Sequence, residues 1–169
     1  MDLNSTESPG LSSLYEKANR ATNVSNRYAG LNVRGLLADL SACGGYRLIH
    51  PLTYLNNHGA NCQWSSVCNM SDVMEADIII AQRQYDLGVA NNILWEAKRA
   101  GKLLIFECDD NLHQVLPSSP VFGIYHQGTN QLRGVQEIIA GCHGLTVSTE
   151  ELAGDYSKFN PNTQVLRVS

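Results

Sequence analysis

Two short runs of this sequence are apolar at almost every position. Ile78, Ile79 and Ile80 lie within "ADIIIAQR", and "LLIFE" follows at residues 103–107. A strand with one exposed face alternates apolar and polar residues, whereas a strand buried on both faces is apolar throughout. The two runs therefore predict central strands of a sheet that is covered on both faces.

Helix-like segments alternate with strand-like segments along the chain. "DLGVANNILWEAKRAGK" lies between the two apolar runs, places Ala90, Leu94 and Ala97 on one stripe, and ends at Gly101. This alternation predicts an α/β fold, a Rossmann-like open parallel sheet with helices on both faces. The other predicted strands cover 33–40, 60–66, the start of "GLTVSTEEL" and "TQVLRVS"; the other predicted helices cover 48–58, 130–141 and the segment after Ser148.

The length of 169 residues suits one domain with a substantial core. Residues 1–30 are rich in Ser, Asn and Thr, and we interpret them as a flexible N-terminal arm with a short helix near Ser12–Arg20. Residues 31–169 form the predicted Rossmann-like domain. "SACGGYR" is predicted to be a Gly-bearing turn after the first strand, with Pro51 in the first turn of the next helix.

Composition excludes several classes of function. The net charge is −4 and the basic residues are scattered, so no nucleic-acid partner is expected. No apolar run reaches the roughly 20 residues of a membrane span, and no export signal is recognisable, so we expect a cytoplasmic protein. The five cysteines form no C-x-x-C pair, which predicts reduced thiols and no metal site.

Polar groups follow four predicted strand ends, where an open parallel sheet binds its ligands. Carboxylates and arginines beside a core are costly unless they are paired or used, although every strand must also end in a polar loop. We regard Asp109, Asp110 and His113 as candidate catalytic residues, with a solvated loop position as the alternative for His113. The candidate ligand-binding residues are Gly44, Gly45, Tyr46, Arg47, Arg83, Glu107, Ser148 and Glu150.

Two familiar site types do not fit these residues. Gly44-Gly45 lets a backbone approach a ligand, but it is not G-x-G-x-x-G and no acidic residue is placed for a ribose, so nicotinamide binding is weakly supported. A structural turn is the alternative reading of the glycine pair. Asp109-Asp110 follows a strand deep in the chain, which is the wrong order for the magnesium site of a response-regulator receiver.

An ordered set of motifs resembles the N-terminal domain of GT-B glycosyltransferases, and more narrowly the large retaining glycosyltransferase family four. The motifs span about residues 43–166: "GGYRLIHPLTYLNNHGANC", "ADIIIAQRQYD", "AKRAGKLLIFECDDNLHQVLPSSP" and "GCHGLTVSTEELAGDYSKFNPNTQVL". The family shows a Gly-Tyr-Tyr-Arg-like turn, a strand ending in Gln-Arg, an acidic turn before a Pro loop, a "VSTE.LA" helix entry and a terminal "NPN..VLPN".

The resemblance implies sugar transfer from a nucleotide-sugar to a glycan or related acceptor. In the family, a C-terminal domain holds most of the donor, and the N-terminal domain supplies the acceptor side. Gly44, Gly45 and Arg47 would then lie near the donor phosphates, and Arg83, Asp109 and Asp110 would line the facing crevice. GT-B enzymes generally need no metal in the active site, and no cofactor is assigned to this chain itself.

The chain departs from the family pattern at its end. It stops at "VLRVS", with Arg167 in place of the usual Pro. We therefore expect no donor domain in this chain and no transferase activity from it alone. A fragment, one chain of a split enzyme and a remnant used for binding all remain open. The alternative function is a non-catalytic interaction module. The expected partners are a donor-domain chain or a second copy in a homo-oligomer.

Overall fold

The computed structural model of the chain describes residues 28–67 and 69–167 and contains one six-stranded sheet. All its neighbouring strands are parallel, in the order β2-β1-β3-β4-β5-β6. The predicted α/β fold with an open parallel sheet is therefore confirmed. The strands are β1 (Asn32–Leu36), β2 (Asn61–Ser65), β3 (Ile78–Gln82), β4 (Leu103–Cys108), β5 (Gly144–Val147) and β6 (Thr163–Val165).

Six helical runs connect the strands of the described chain. Two of them, α2 and α4, were not predicted from the sequence. The runs are α1 (Ala42–Gly44, Gly45–Ile49 and His50–Asn57), α2 (Met70–Glu75), α3 (Leu87–Val89, Ala90–Leu94 and Trp95–Arg99), α4 (Phe122–Tyr125), α5 (Asn130–Gly141) and α6 (Glu150–Tyr156).

Helices cover both faces of the sheet, but unevenly. The larger core packs α2, α3, α5 and α6 against one face, through strand residues such as Ile79 and Phe106. The smaller core packs α1 against the other face, where Leu48 and Leu52 meet Val33. In the described part of the chain, α1 is the helix of this second face, and its core includes no residue of β4, β5 or β6.

The helix α1 begins earlier than the sequence predicts. Gly44 and Gly45 have helical φ values of −59° and −58°, so the predicted glycine turn is wrong: the pair lies within the helix. The middle of α1 is π-helical, and His50 N–H donates to the Gly45 carbonyl. Pro51 follows the widened turn and has no N–H to donate within the helix. The middle of α3, Ala90–Leu94, is also π-helical.

The first strand is shorter than predicted. We expected it to continue to Leu40, but β1 ends at Leu36. Leu37 is buried beyond the strand, whereas Leu40 is 78% exposed in the turn before α1. Residues 36–40, which are apolar except for Asp39, therefore combine a strand end with a turn, and this is not evident from their composition.

The predicted N-terminal arm lies mostly outside the described residues. Of its range, the structure describes Tyr28 to Gly30, which form a turn closed by Leu31 N–H to the Tyr28 carbonyl at 3.1 Å. Tyr28 and Leu31 pack against the smaller core. The short helix expected near 12–20 also falls outside the described residues.

Candidate functional site

The carboxyl ends of the strands meet at an open cleft of about 680 Å³. α1 forms one wall, and the segments after β4, β5 and β6 supply the rest. The cleft lies beside the point where the chain order reverses between β1 and β3, which is where open α/β sheets bind ligands. Its lining residues are Ala42, Cys43, Tyr46, Arg47, Asp109, Ser148 and Arg167.

Arg47 and Glu107 form a buried ion pair beneath this cleft. Arg47 Nε donates to Glu107 Oε1 at 2.6 Å, and the two residues are 5% and 1% exposed. Arg47 Nη1 donates to the Leu166 carbonyl, which ties α1 to the segment after β6. Arg47 Nη2 is buried and has no hydrogen-bond partner in the described chain. An unpaired guanidinium N–H is costly when buried, so this atom marks a candidate ligand position. Arg83 Nε and Asp109 Oδ1 are likewise buried and without a hydrogen-bond partner in the described chain.

Burial opposes the charged form of Glu107, whereas the Arg47 guanidinium stabilises it. Burial raises the pKa of Glu107 to about 7, although Arg47 acts in the opposite direction. Gln82, its register partner on β3, also lowers the pKa, whereas Asp109 raises it. Glu107 is therefore a proton-binding group near neutral pH, and it lies behind Arg47 rather than on the cleft lining.

A second cluster surrounds the guanidinium of Arg83. Nη1 donates to Asp110 Oδ2 at 3.2 Å, Nη2 pairs with Asp39, and Nε lies 3.9 Å from Asp109 Oδ1. Burial lowers the pKa of Arg83, but Asp109, Asp39 and Asp110 outweigh burial and raise it. Hydrogen bonds from Ser41 lower the pKa of Asp39. The cluster joins the ends of β1, β3 and β4, and Asp109 connects it to the cleft.

The backbone of Arg83 is unusual for a residue with a side chain. Its φ is 44°, the one positive φ of a non-glycine residue in the described chain. Arg83 N–H still bonds the Glu107 carbonyl at 2.9 Å, so the chain turns sharply as it leaves the sheet. Such strain costs about 1–3 kcal/mol and persists where surrounding contacts hold it. Here the three carboxylates provide those contacts.

Tyr156 on α6 fixes the acidic turn after β4. Its hydroxyl donates to the Asp110 carbonyl at 2.8 Å and accepts from Leu112 N–H at 3.1 Å. Burial raises the pKa of Tyr156 well above its usual value, so the hydroxyl stays protonated. Ser148 Oγ donates to the Asp109 carbonyl at 3.3 Å. The predicted residues Asp109, Asp110 and Ser148 are thus brought together.

The α1 wall presents a thiol, an aromatic ring and two glycines. A hydrogen bond with Asp109, together with burial, raises the pKa of Cys43 to about 11, so its thiol is protonated at neutral pH and is a poor nucleophile. Tyr46 is 55% exposed. A Cβ at position 44 would lie 2.2 Å from the Asp39 carbonyl oxygen, whereas one at position 45 would meet nothing within 4 Å. Gly44 therefore serves internal packing, and Gly45 faces open space.

The remaining predicted residues have different positions. Glu150 lies in the first turn of α6, and its Oε1 pairs with Arg167 Nη2 at 3.1 Å at the exposed rim of the cleft. His113 stacks on Phe159 with ring centroids 4.2 Å apart, and its Nδ1 lies 3.2 Å from Gln136 Nε2. Burial lowers the pKa of His113 to about 4. Its contacts are with α5 and the end of α6, not with the cleft lining.

Sequence reasoning missed two members of the site. Asp39 was overlooked because the predicted first strand, residues 33–40, included it. A carboxylate just beyond a strand end is nevertheless a recognisable signal. Tyr156 was not singled out in the sequence, since no local pattern shows that its hydroxyl reaches Asp110. Both act through residues that are distant in the sequence.

The described part of the chain contains neither a cluster of metal-ligating side chains nor a membrane-spanning helix. Within residues 28–67 and 69–167, no three His, Cys, Asp or Glu side chains are arranged to hold a metal ion. In the same part of the chain, no helix has the length and apolarity needed to cross a bilayer. The described cysteines, Cys43, Cys62, Cys108 and Cys142, are free thiols.

Comparisons with known proteins add little to this geometry. No protein-family model matches the chain, and no curated protein sequence matches it. A solved structure, described as a conserved protein from Enterococcus faecalis V583, is similar over 77% of this chain and 99% of its own, with 14% identity and a TM-score of 0.44. These comparisons assign no family.

Proposed function

We propose that this chain is the acceptor-side domain of a GT-B-like glycosyltransferase. In this proposal a nucleotide-sugar, held mainly by a second domain, donates its sugar to a glycan or related acceptor bound at the cleft. The observation that carries the proposal is Arg47, a guanidinium buried at the cleft with Nη2 unpartnered in the described chain. A phosphate of the donor is an anion that this N–H suits.

The chemistry of the cleft lining suits a phosphorylated, polyhydroxylated ligand. Arg47 and Arg167 offer N–H donors to anionic oxygens, while the Asp109 carboxylate and the Ser148 hydroxyl can accept sugar hydroxyl protons. The exposed ring of Tyr46 offers an apolar surface to a sugar or base. Asp109 and Asp110 are held by Arg83 rather than free, which favours a binding role for them over nucleophilic attack.

Exposed apolar side chains support the idea of a second domain facing the cleft. Leu40, Val67 and Leu116 follow β1, β2 and β4 and are 78%, 62% and 68% exposed. Because the strands are parallel, these loops all project from the carboxyl edge. We call this set the apolar rim. A contiguous apolar patch is typical of a surface that is covered by a partner, and we propose that the apolar rim contributes to one.

The apolar rim also favours a second candidate function, a non-catalytic assembly module. In that case the cleft edge would bind another protein or a second copy of the chain. Sedimentation velocity over a range of concentrations separates the two functions. A stable oligomer that is dissociated by Leu40→Asp, with no nucleotide-sugar binding, would favour the assembly module.

Calorimetry tests the transferase proposal. The full chain is titrated with a panel of uridine, guanosine and adenosine diphosphate sugars and with candidate glycan acceptors, alone and with any separately encoded donor domain. At least one ligand should bind. Tyr46→Ala and Arg167→Ala should each weaken binding by about tenfold, the loss of one good contact of about 1.4 kcal/mol.

The design avoids substitutions that threaten the fold. Tyr46 and Arg167 are exposed, whereas removing Arg47 would leave the buried Glu107 carboxylate without its cationic partner. Arg99→Ala is the matched control, since Arg99 is an exposed arginine on α3 outside the cleft. Absence of binding at millimolar ligand, with and without a donor domain, or equal losses in the Arg99 control, would refute the proposal.

A further inference from the structure

A second groove of about 330 Å³ lies at the carboxyl edge, where α3 and α5 begin. We call it the Tyr85 groove, and its lining residues are Tyr85, Asp86, Leu87, Gly88, Asn130, Gln131 and Arg133. None of these residues belongs to the cleft lining or to the sites predicted from the sequence. The groove combines one exposed aromatic ring with two amide side chains, which are residue types common in sites that bind polyhydroxylated ligands.

Tyr85 is held rigidly although 46% of it is exposed. Its ring meets the Tyr125 ring edge-on, with centroids 6.2 Å apart at 79°. Its backbone rests on α5, because a Cβ at position 134 would lie 2.1 Å from the Tyr85 carbonyl oxygen. Next to it, the Asp86 side chain accepts from Gly88 N–H at 2.7 Å and fixes the loop. A ring fixed in this way loses little entropy when a ligand stacks on it.

The polar groups of the groove are available to a ligand. In the described chain, neither the Asn130 nor the Gln131 side chain makes a hydrogen bond. Each amide offers both donors and an acceptor, which matches the mixed character of sugar hydroxyls. Charges of both signs lie at the groove, because the Asp86 carboxylate lines it and Arg133 Nε lies 3.6 Å from Glu137 Oε1. The groove therefore has no excess of positive charge to select an anion. An aromatic platform with neutral amides suits a neutral sugar ring.

The Tyr85 groove lies beside the Arg83 cluster that borders the cleft. Arg83 and Asp110 both influence the pKa of Tyr125, whose ring contacts Tyr85. Asp109, in turn, belongs to both the Arg83 cluster and the cleft lining. The Arg83 cluster therefore lies between the cleft and the Tyr85 groove, and a ligand that occupies both must extend past it.

We infer that the Tyr85 groove is a carbohydrate subsite that stacks a neutral sugar ring on Tyr85. The ring belongs to an oligosaccharide whose other end lies in the cleft, and this second statement rests on the proposed glycosyltransferase function. The sugar-binding subsite depends only on the groove. Together with the proposed function, it predicts that the acceptor is a neutral oligosaccharide rather than a single sugar.

Chemical-shift mapping of the ¹⁵N-labelled full chain tests the inference. The probes are maltotetraose, cellotetraose and chitotetraose, each with its monosaccharide as the comparison. At least one tetrasaccharide should shift the amide resonances of residues 85–89 and 130–133. Tyr85→Ala should weaken its binding by about tenfold, whereas Tyr85→Phe, which keeps the ring, should retain the wild-type affinity. Gln131→Ala should weaken binding without removing the ring.

The matched control is Tyr54→Ala, since Tyr54 is 56% exposed and stacks on His58 in a different part of the surface. Equal losses at positions 54 and 85, or no shift in the groove at millimolar probe, would overturn the subsite. If a nucleotide-sugar binds at the cleft but no tetrasaccharide shifts the amide resonances of the groove, the subsite is refuted and the proposed function is not. Sugar binding in the groove with no nucleotide-sugar binding would support the subsite and count against the proposed function.

Discussion

Arg83 combines a strained backbone conformation with a guanidinium that is surrounded by carboxylates. Its positive φ is unfavourable for any residue with a Cβ, by about 1–2 kcal/mol. Three carboxylates, of Asp39, Asp109 and Asp110, hold its guanidinium in place. Removing the side chain therefore loses the ion pairs, whereas the strain is relieved only if the Cβ is also removed.

This reasoning predicts an unusual order of stability at position 83. Arg83→Ala and Arg83→Gly both lose the ion pairs, but the Arg83→Gly variant should be the more stable by about 1 kcal/mol in urea unfolding. Arg34 lies in β1 and has no positive φ. The Arg34→Gly variant should therefore be less stable than the Arg34→Ala variant. A Gly variant at position 83 that is no more stable than the Ala variant would contradict the strain.

Glu107 should make the fold less stable as the pH rises. Its pKa is about 7 in the folded chain against an ordinary value of 4.5, so between these pH values the native state binds the proton more tightly than the unfolded state. The free energy of unfolding of the wild type, minus that of Glu107→Gln, should fall as the pH rises from about 4.5 to about 7. A flat or rising difference in denaturant titrations would contradict the burial effect.

His113 should act in the opposite direction. Burial lowers its pKa to about 4 from 6.5, so the unfolded state takes up the proton first as the pH falls. The stability of the wild type relative to His113→Asn should be fully present above about pH 6.5 and lost progressively towards about pH 4. Thermal unfolding of the two proteins over this range measures the difference. A constant difference would mean that His113 is solvated, as its loop position in the sequence first suggested.

At the scale of elements, α1 carries the largest difference between expectation and structure. The sequence "SACGGYR" has the composition of a turn, and two adjacent glycines disfavour a helix. Yet Gly44 is required because the first turn of α1 passes close to the Asp39 carbonyl. That requirement comes from a tertiary contact, so no local pattern could show it.

The two glycines should therefore respond differently to alanine. Gly44→Ala would place a Cβ against the Asp39 backbone and should destabilise the fold by about 1–3 kcal/mol. Gly45→Ala has free space and a helical φ, so it should stabilise the fold by about 0.5–1 kcal/mol. Urea unfolding measures the stability of both variants, and each variant serves as the control for the other. Equal effects at both positions would contradict the helical assignment.

The central strands and the long helices were predictable because their signals are local. β3, β4, the stripe of α3 and the stop of α5 at Gly141 all agree with the sequence patterns. The parallel arrangement then placed Arg83, Asp109 and Ser148 at one edge. The pairing of Arg47 with Glu107, the left-handed Arg83 and the Tyr156 contact depend on residues far apart in the sequence, and periodicity gives no information about them.

At the scale of the whole molecule, the two faces of the sheet differ. Four helices cover one face, whereas α1 covers the other over β1 and its neighbours in the described chain. The cleft lies beside α1, where the buried Arg47–Glu107 pair ends the smaller core. The residues of the apolar rim lie on loops that follow strands at this same edge. The proposed binding role therefore places the ligand at the carboxyl edge.

The most direct test of this account is a crystal structure of the full chain with the nucleotide-sugar that binds most tightly in calorimetry. The account predicts an anionic oxygen of the ligand about 3 Å from Arg47 Nη2, between Tyr46 and Ser148. The Arg47–Glu107 pair should stay intact beneath it. A ligand bound at the amino edge of the sheet or on the helices, with Arg47 Nη2 still unpartnered, would contradict the account.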